Sequence, residues 1–140
     1  MKPVQEIRLL GYRFDMDGGM KGHTEYWLER GVGVRRRIAG IGRRYGSRGG
    51  IGAWEYNPLI KLVYLPTVWY GIEFLASDEM MLKKIQIHIN DYIRSGLRTP
   101  IKTANNILLV EAGIVPTHIQ ARYIRRICRQ QDVNNGYGND

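Results

Sequence analysis

Residues 57–75, NPLIKLVYLPTVWYGIEFL, are apolar on every side of a helix and carry a proline near the middle. A helix with no polar face must be covered by neighbours on several sides, so this stretch predicts the centre of a small helical domain. Asn57 suits an N-cap and Pro58 the first helical position. Pro66 has no N–H to give the carbonyl of Leu62, which predicts a kink there. Lys61 and Glu73 sit near the two ends, and the roughly 17 residues between breakers are too few for a membrane span. No membrane partner is expected.

With 140 residues the chain has the size of one domain. A hydrophobic content of 44% is ordinary for a folded protein and argues against global disorder. The net charge of +8 is not ordinary and points to a polyanionic partner, nucleic acid ahead of an anionic membrane. A soluble protein that is simply basic is the competing reading. Cys128 stands alone, so neither an internal disulfide nor a cysteine-based zinc site is expected. The first residues lack the apolar core of a secretory signal, and the expected location is intracellular.

Residues 4–14 read as one strand with Gly11 as a bulge, whose partner would have to lie elsewhere. Asp17-Gly18-Gly19 is a turn signal. A helix from Thr24 toward Arg44 follows, with Trp27, Gly31, Val34, Ile38 and Ile41 as its core seam. Residues 46–52 read as a flexible loop. Ser77 is placed as the cap of the next helix, with Met81, Leu82, Ile85, Ile89, Tyr92 and Ile93 on its inner face and Ser95-Gly96 as its end. Thr103 caps a short helix closed by Gly113, and Pro116 opens the last one, with Ile119, Tyr123 and Ile127 on one side. The fold class is therefore mainly α, a bundle of about four to five helices with a short N-terminal strand or hairpin. The divisions are 1–20 for the strand segment, 21–129 for the helical domain and 130–140 for a disordered tail.

Between Arg30 and Arg48 there is no acidic residue. At about 100° per residue, Arg30, Arg37 and Arg44 form one stripe beside the apolar seam, with Arg36 and Arg43 next to them. Gly33 and Gly40 share that sector. Arginines for phosphates and glycines that admit a close backbone describe a nucleic-acid groove wall, so the candidate binding residues are Arg30, Arg36, Arg37, Arg43, Arg44 and Arg48. A solvated arginine face is the alternative. The arginines near the C-terminus fit that alternative better.

No self-contained active site is legible. Asp15 and Asp17 alternate as a metal-binding pair would, but an Asp- and Gly-rich turn explains them equally well. His23, His88 and His118 lie far apart and lack ligand spacing. The glycines form neither a phosphate loop nor a dinucleotide fingerprint. Cys128 lies near Arg125 and Arg129 but has no placed base, which makes it a packing residue. No metal or cofactor is expected.

Several short stretches, in order, resemble the reverse transcriptases of non-LTR retrotransposons, most closely fungal elements of the Tad and I type. Leu10 to Asp15, LGYRFD, looks like the L-G-[FV]-x-[FL]-D strand that closes the palm of those enzymes. Lys21-Gly22-His23 looks like their K-x-H, and Arg37 to Ile41 is similar to H-I-R-G-L. Leu65 to Glu73, LPTVWYGIE, is similar to L-P-x-x-x-Y-G-x-E. Leu82 to Gln86, Leu97 to Pro100, and Glu111 to Pro116 are similar to L-x-x-[IV]-Q, W-R-T-T-P and E-A-G-[IL]-P-P. The resemblance covers residues 7–127 and implies the thumb and connection region, which in that family follows the palm and packs on the template–primer duplex. It implies an upstream palm as a partner, nuclear residence and no catalytic residues in this stretch. The shortened R-T-P, Phe74-Leu75 in place of an aromatic pair, and glycines in place of alanines depart from the pattern and admit a decayed element copy. A free-standing basic nucleic-acid-binding module and a helical protein-interaction domain are the alternatives.

Overall fold

The computed structural model describes residues 6–45 and 52–136, with the backbone alone at 42–45, 53 and 54. The architecture is mainly helical, a small bundle with an N-terminal β-hairpin. No described helix is long and apolar enough to cross a membrane.

Residues 4–14, read as one strand, form the hairpin that the fold class allowed, as far as they are described. β1 (Glu6–Leu9) pairs antiparallel with β2 (Tyr12–Asp15), Glu6 opposite Asp15 and Leu9 opposite Tyr12. Leu10 and Gly11 make the turn, both at positive φ (50° and 85°), as a two-residue hairpin loop requires. Gly11 is therefore a turn residue and not a bulge, and the strand finds its partner within the chain. Asp15 and Asp17 build the next turn: the Gly18 amide donates to the Asp15 carbonyl, and the Gly19 amide to Asp17 Oδ1 at 3.0 Å.

α1 (Lys21–Tyr45) begins three residues before its expected start. Thr24 is buried inside the first turn, its hydroxyl donating to the Met20 carbonyl. Leu28, Gly31 and Ile38 face inward, but Ile41, assigned to the same seam, is exposed. The expected loop at 46–52 lies outside the described residues except for Gly52.

The central apolar stretch starts earlier and is less uniform than its composition suggests. α2 (Ala53–Leu59) begins after Gly52, whose amide donates to Glu55 Oε2 at 3.2 Å. Asn57 and Pro58 thus lie within the helix, and Asn57 Nδ2 donates to the Ala112 carbonyl instead of capping. Ile60–Tyr64 widen into a π-turn, in which the Leu65 amide reaches back five residues to Ile60, and α3 (Leu65–Val68) follows. Pro66 is accommodated by this widening, since it has no amide to offer Leu62. The segment ends at Gly71, which adopts φ 76°, and Ile72–Leu75 form a 3₁₀ turn. Ile60, Tyr64, Leu65 and Val68 are buried, whereas Leu62 is 76% exposed and Pro66 is exposed too. The stretch is covered on one side only, and the expectation of enclosure on every face fails there.

The hub of the bundle is α4 (Glu79–Leu97), which meets α1, α2, α5 (Asn105–Ala112) and α6 (Thr117–Asn134). Its six predicted inner-face residues are all buried. Tyr92 stands edge-on to Tyr64 (centroids 4.4 Å apart) and to Tyr56 (5.3 Å). Burial raises the Tyr92 hydroxyl pKa and pushes that of Tyr64 up to about 12. The cap of α4 is Asp78, Oδ1 accepting from the Met81 amide at 3.2 Å, and not Ser77. Gly96 does not end the helix either. It lies inside α4 under the Tyr56 ring, where a Cβ would collide, and Arg98 at φ 52° forms the C-cap.

Ala104, not Thr103, precedes α5, and Gly113 closes it in the left-handed conformation as expected. α6 follows Pro116 but is rotated from its expected face: Thr117 and Ala121 are buried and Ile124 packs on the core, while Ile119 and Tyr123 are exposed. Small side chains at 117 and 121 let α6 approach α4, and Gln86 Oε1 accepts from the Thr117 amide at 2.8 Å. α6 continues through Asn134, so helix replaces the first part of the expected tail; residues 137–140 lie outside the described residues.

Candidate nucleic-acid interface

Three separated stretches of chain meet at one end of α1. His23 is buried; its Nε2 lies 2.8 Å from the Tyr70 carbonyl, and its Nδ1 accepts from the Arg13 amide at 3.3 Å. These roles assign the proton to Nε2 of a neutral ring. Desolvation lowers the His23 pKa, which keeps that form in place. Tyr12 stacks on Tyr70 (5.0 Å) and on His23 (5.7 Å), and its hydroxyl donates to Glu73 Oε1 at 3.2 Å. Burial, with the Glu73 carboxylate beside it, pushes the Tyr12 hydroxyl up to about 12. The Tyr70 hydroxyl donates to the Leu10 carbonyl at 2.6 Å, pinning the hairpin turn. Gly71 is required here, because a Cβ would sit 2.6 Å from His23 Nε2.

This cluster fixes the start of α1, and Arg30, Arg36 and Arg37 lie on the helix beyond it. An open cleft of about 530 Å³ is lined by Tyr26, Trp27, Glu29, Arg30, Gly33, Val34 and Arg37 of α1 and by Thr67 of α3. Arg30 and Arg37, predicted to share a stripe, are brought together in its wall. Arg36 is exposed and lies outside the lining. Arg43 and Arg44 belong to α1 by their backbone, without described side chains, and Arg48 lies outside the described residues. Nothing lies within 4 Å of a Cβ built on Gly33 or Gly40, so both border open space. Gly31 is different: its Cβ would come 2.6 Å from Val68 Cγ1, so it is the glycine that brings α1 and α3 together.

Ion pairs join Glu6 to Arg8 and Arg13, and Lys84 to Glu25; among the described residues none involves Arg30, Arg36 or Arg37. Glu29 is the carboxylate in the cleft lining.

Sequence reasoning missed Tyr26 and Arg13, and it placed Trp27 in the core seam, where the structure has it half-buried in the cleft lining. Arg30 donates from Nε (2.9 Å) and Nη2 (2.8 Å) to the Tyr26 hydroxyl, and the Arg13 guanidinium lies 3.7 Å from the centre of the same ring. Tyr26 and Arg30 are four residues apart on a helix, a spacing that signals side-chain contact. Arg13 comes from β2 and carries no such signal. Arg35, outside the predicted set, is half-buried over Tyr92 at 4.7 Å and ties α1 to α4.

The cleft supplies two arginines, an aromatic wall and a glycine with open space at its Cβ position, a chemistry suited to an anionic backbone. No group of three or more His, Cys, Asp or Glu that could hold a metal ion occurs among the described residues. No protein family, curated protein or solved structure matches the chain.

Proposed function

We propose that the chain is the thumb region of a reverse transcriptase of the retrotransposon type, holding a template–primer duplex through phosphate contacts and relying on a separate palm for catalysis. The observation that carries this reading is the cleft on α1, where Arg30 and Arg37 flank Gly33 beside an aromatic wall, with Arg36 exposed next to them. The motif residues add support. Tyr12, His23, Tyr70, Gly71 and Glu73 come from three of the stretches that resemble the family, and they form one contact cluster.

Phosphate contacts carry charge but no sequence information. Duplex affinity should therefore be indifferent to sequence and fall steeply with salt. In the double variant Arg36→Ala/Arg37→Ala, affinity should drop equally for unrelated duplexes, and the slope of log K against log salt should flatten by about 0.9 for each phosphate no longer neutralised. Equal affinity and slope for variant and parent in a filter-binding titration would overturn the assignment.

A second reading, a helical protein-interaction domain, is favoured by the hairpin. Ile7 is 55% exposed, Leu9 60% and Leu10 83%, a concentration of apolar side chains on one small element. β1 and β2 pair with each other along one edge, so it is the exposed side chains rather than a lone strand that mark this element. Capture of a protein partner that survives nuclease treatment and is lost with Leu9→Lys would favour this reading.

A further inference from the structure

We infer that Tyr26 is a positioning residue that locks the Arg30 guanidinium at the mouth of the α1 cleft, so that a phosphate meets a preformed donor fork. The inference rests on the nucleic-acid reading above and adds a residue that neither the arginine pattern nor the motif resemblance marks.

The geometry is specific. Arginine has five N–H donors in a rigid plane. Two of them, on Nε and Nη2, converge on the Tyr26 hydroxyl oxygen at 2.9 and 2.8 Å, leaving three for a ligand. The phenol ring cannot swing away easily, because it is held on two further sides. Arg13 stacks at 3.7 Å from the ring centre, and the Trp27 indole stands edge-on at 5.2 Å. Arg13 is itself anchored by Glu6, Nη1 to Oε1 at 3.3 Å, with only 16% of its side chain exposed. A series of contacts thus runs from the hairpin through Arg13 and Tyr26 to Arg30. A free surface arginine loses rotamer entropy on gripping a phosphate; here much of that loss has already been taken in folding. The hydrogen bonds from Arg30 also draw the Tyr26 hydroxyl pKa below its ordinary value.

The charged groups in contact with the phenol are Arg13 of the hairpin and Arg30 of α1; Glu6 pairs with Arg13 behind it, and Glu29 and Arg37 of α1 line the same cleft with Thr67 of α3, which does not titrate. Ionisation of Tyr26 would place a phenolate against Arg30 and cancel its charge toward a phosphate. Affinity should then fall with rising pH before ordinary tyrosines titrate.

The test uses the full chain and an RNA template annealed to a DNA primer. Tyr26→Phe keeps the ring and every charge, so it should weaken binding by about two- to tenfold with the salt slope unchanged. Arg30→Ala should flatten the slope by about 0.9. In the Arg30→Ala background, adding Tyr26→Phe should change affinity by no more than about twofold, the mark of two residues acting as a unit. The loss of affinity at raised pH should be present in the parent and absent in Tyr26→Phe. If Tyr26→Phe binds as the parent does, or weakens binding equally with and without Arg30, the inference fails while the nucleic-acid reading stands. A folded parent that binds no duplex overturns both. If Tyr26→Phe does not fold, Tyr26→Trp, which also keeps a ring and removes the hydroxyl, goes through the same cycle with Arg30→Ala, and equal affinity to the parent or an equal loss with and without Arg30 again overturns the inference.

Discussion

His23 and Tyr70 are 47 residues apart in the chain, yet His23 Nε2 and the Tyr70 carbonyl oxygen are 2.8 Å apart. This contact joins the first turn of α1 to the loop that ends α3. Through the Nδ1 bond to Arg13 it also fastens the hairpin.

A buried neutral histidine makes stability depend on pH. Desolvation lowers the His23 pKa in the fold, so below about 6.5 the unfolded chain binds a proton that the folded chain resists. Its contribution is complete above that pH and is lost as pH falls below it. Thermal melts between pH 7 and about 5 should show a falling midpoint in the parent and a flatter profile in His23→Gln, after carboxylate effects common to both are subtracted.

Gly71 adopts φ 76° with His23 and Tyr12 against its Cα, so Gly71→Ala meets both backbone strain and a collision. A loss of about 2–4 kcal/mol is expected in urea unfolding. A loss of under about 0.5 kcal/mol would contradict this packing.

The glycines of α1 should divide by position. Gly31→Ala drives a methyl into Val68 and Tyr64 and should destabilise by about 1–3 kcal/mol. Gly40→Ala, with nothing near its Cβ, should stabilise by about 0.5–1 kcal/mol through helix propensity. Circular-dichroism melts of the two variants should move in opposite directions.

Leu10 occupies the left-handed region at φ 50° and is 83% exposed, so it has strain and little burial to offset it. Leu10→Asn should raise stability by about 1 kcal/mol, since asparagine tolerates that conformation. Tyr70→Phe, which removes the hydroxyl bond to the Leu10 carbonyl, should lower it by about 1 kcal/mol. If Leu10→Asn melts below the parent, the assigned turn is wrong.

Much of the fold was legible because it rests on local periodicity. The inner face of α4, Met81 to Ile93, is set by 3.6-residue spacing alone, and Gly113 and Pro116 mark boundaries through their own backbone preferences. Arg30 and Arg37 could be assigned to one wall for the same reason, seven residues being nearly two turns. Periodicity likewise carried the helical class, and composition the basic charge.

Tertiary structure decided what depends on contacts between distant residues. Ile119 and Tyr123 follow a helical stripe as well as Thr117 and Ala121 do, but only the smaller pair lets α6 approach α4. Periodicity cannot choose between two such faces. Pro66 announced a disturbance in the helix; its form as a π-turn at Ile60–Tyr64, with Leu62 left outside, depended on which side α1 and α4 covered. Arg13 reached Tyr26 only because the hairpin folded back onto α1. Spacing along a chain encodes which side chains share a face, whereas the neighbour that covers that face is determined only when the elements assemble.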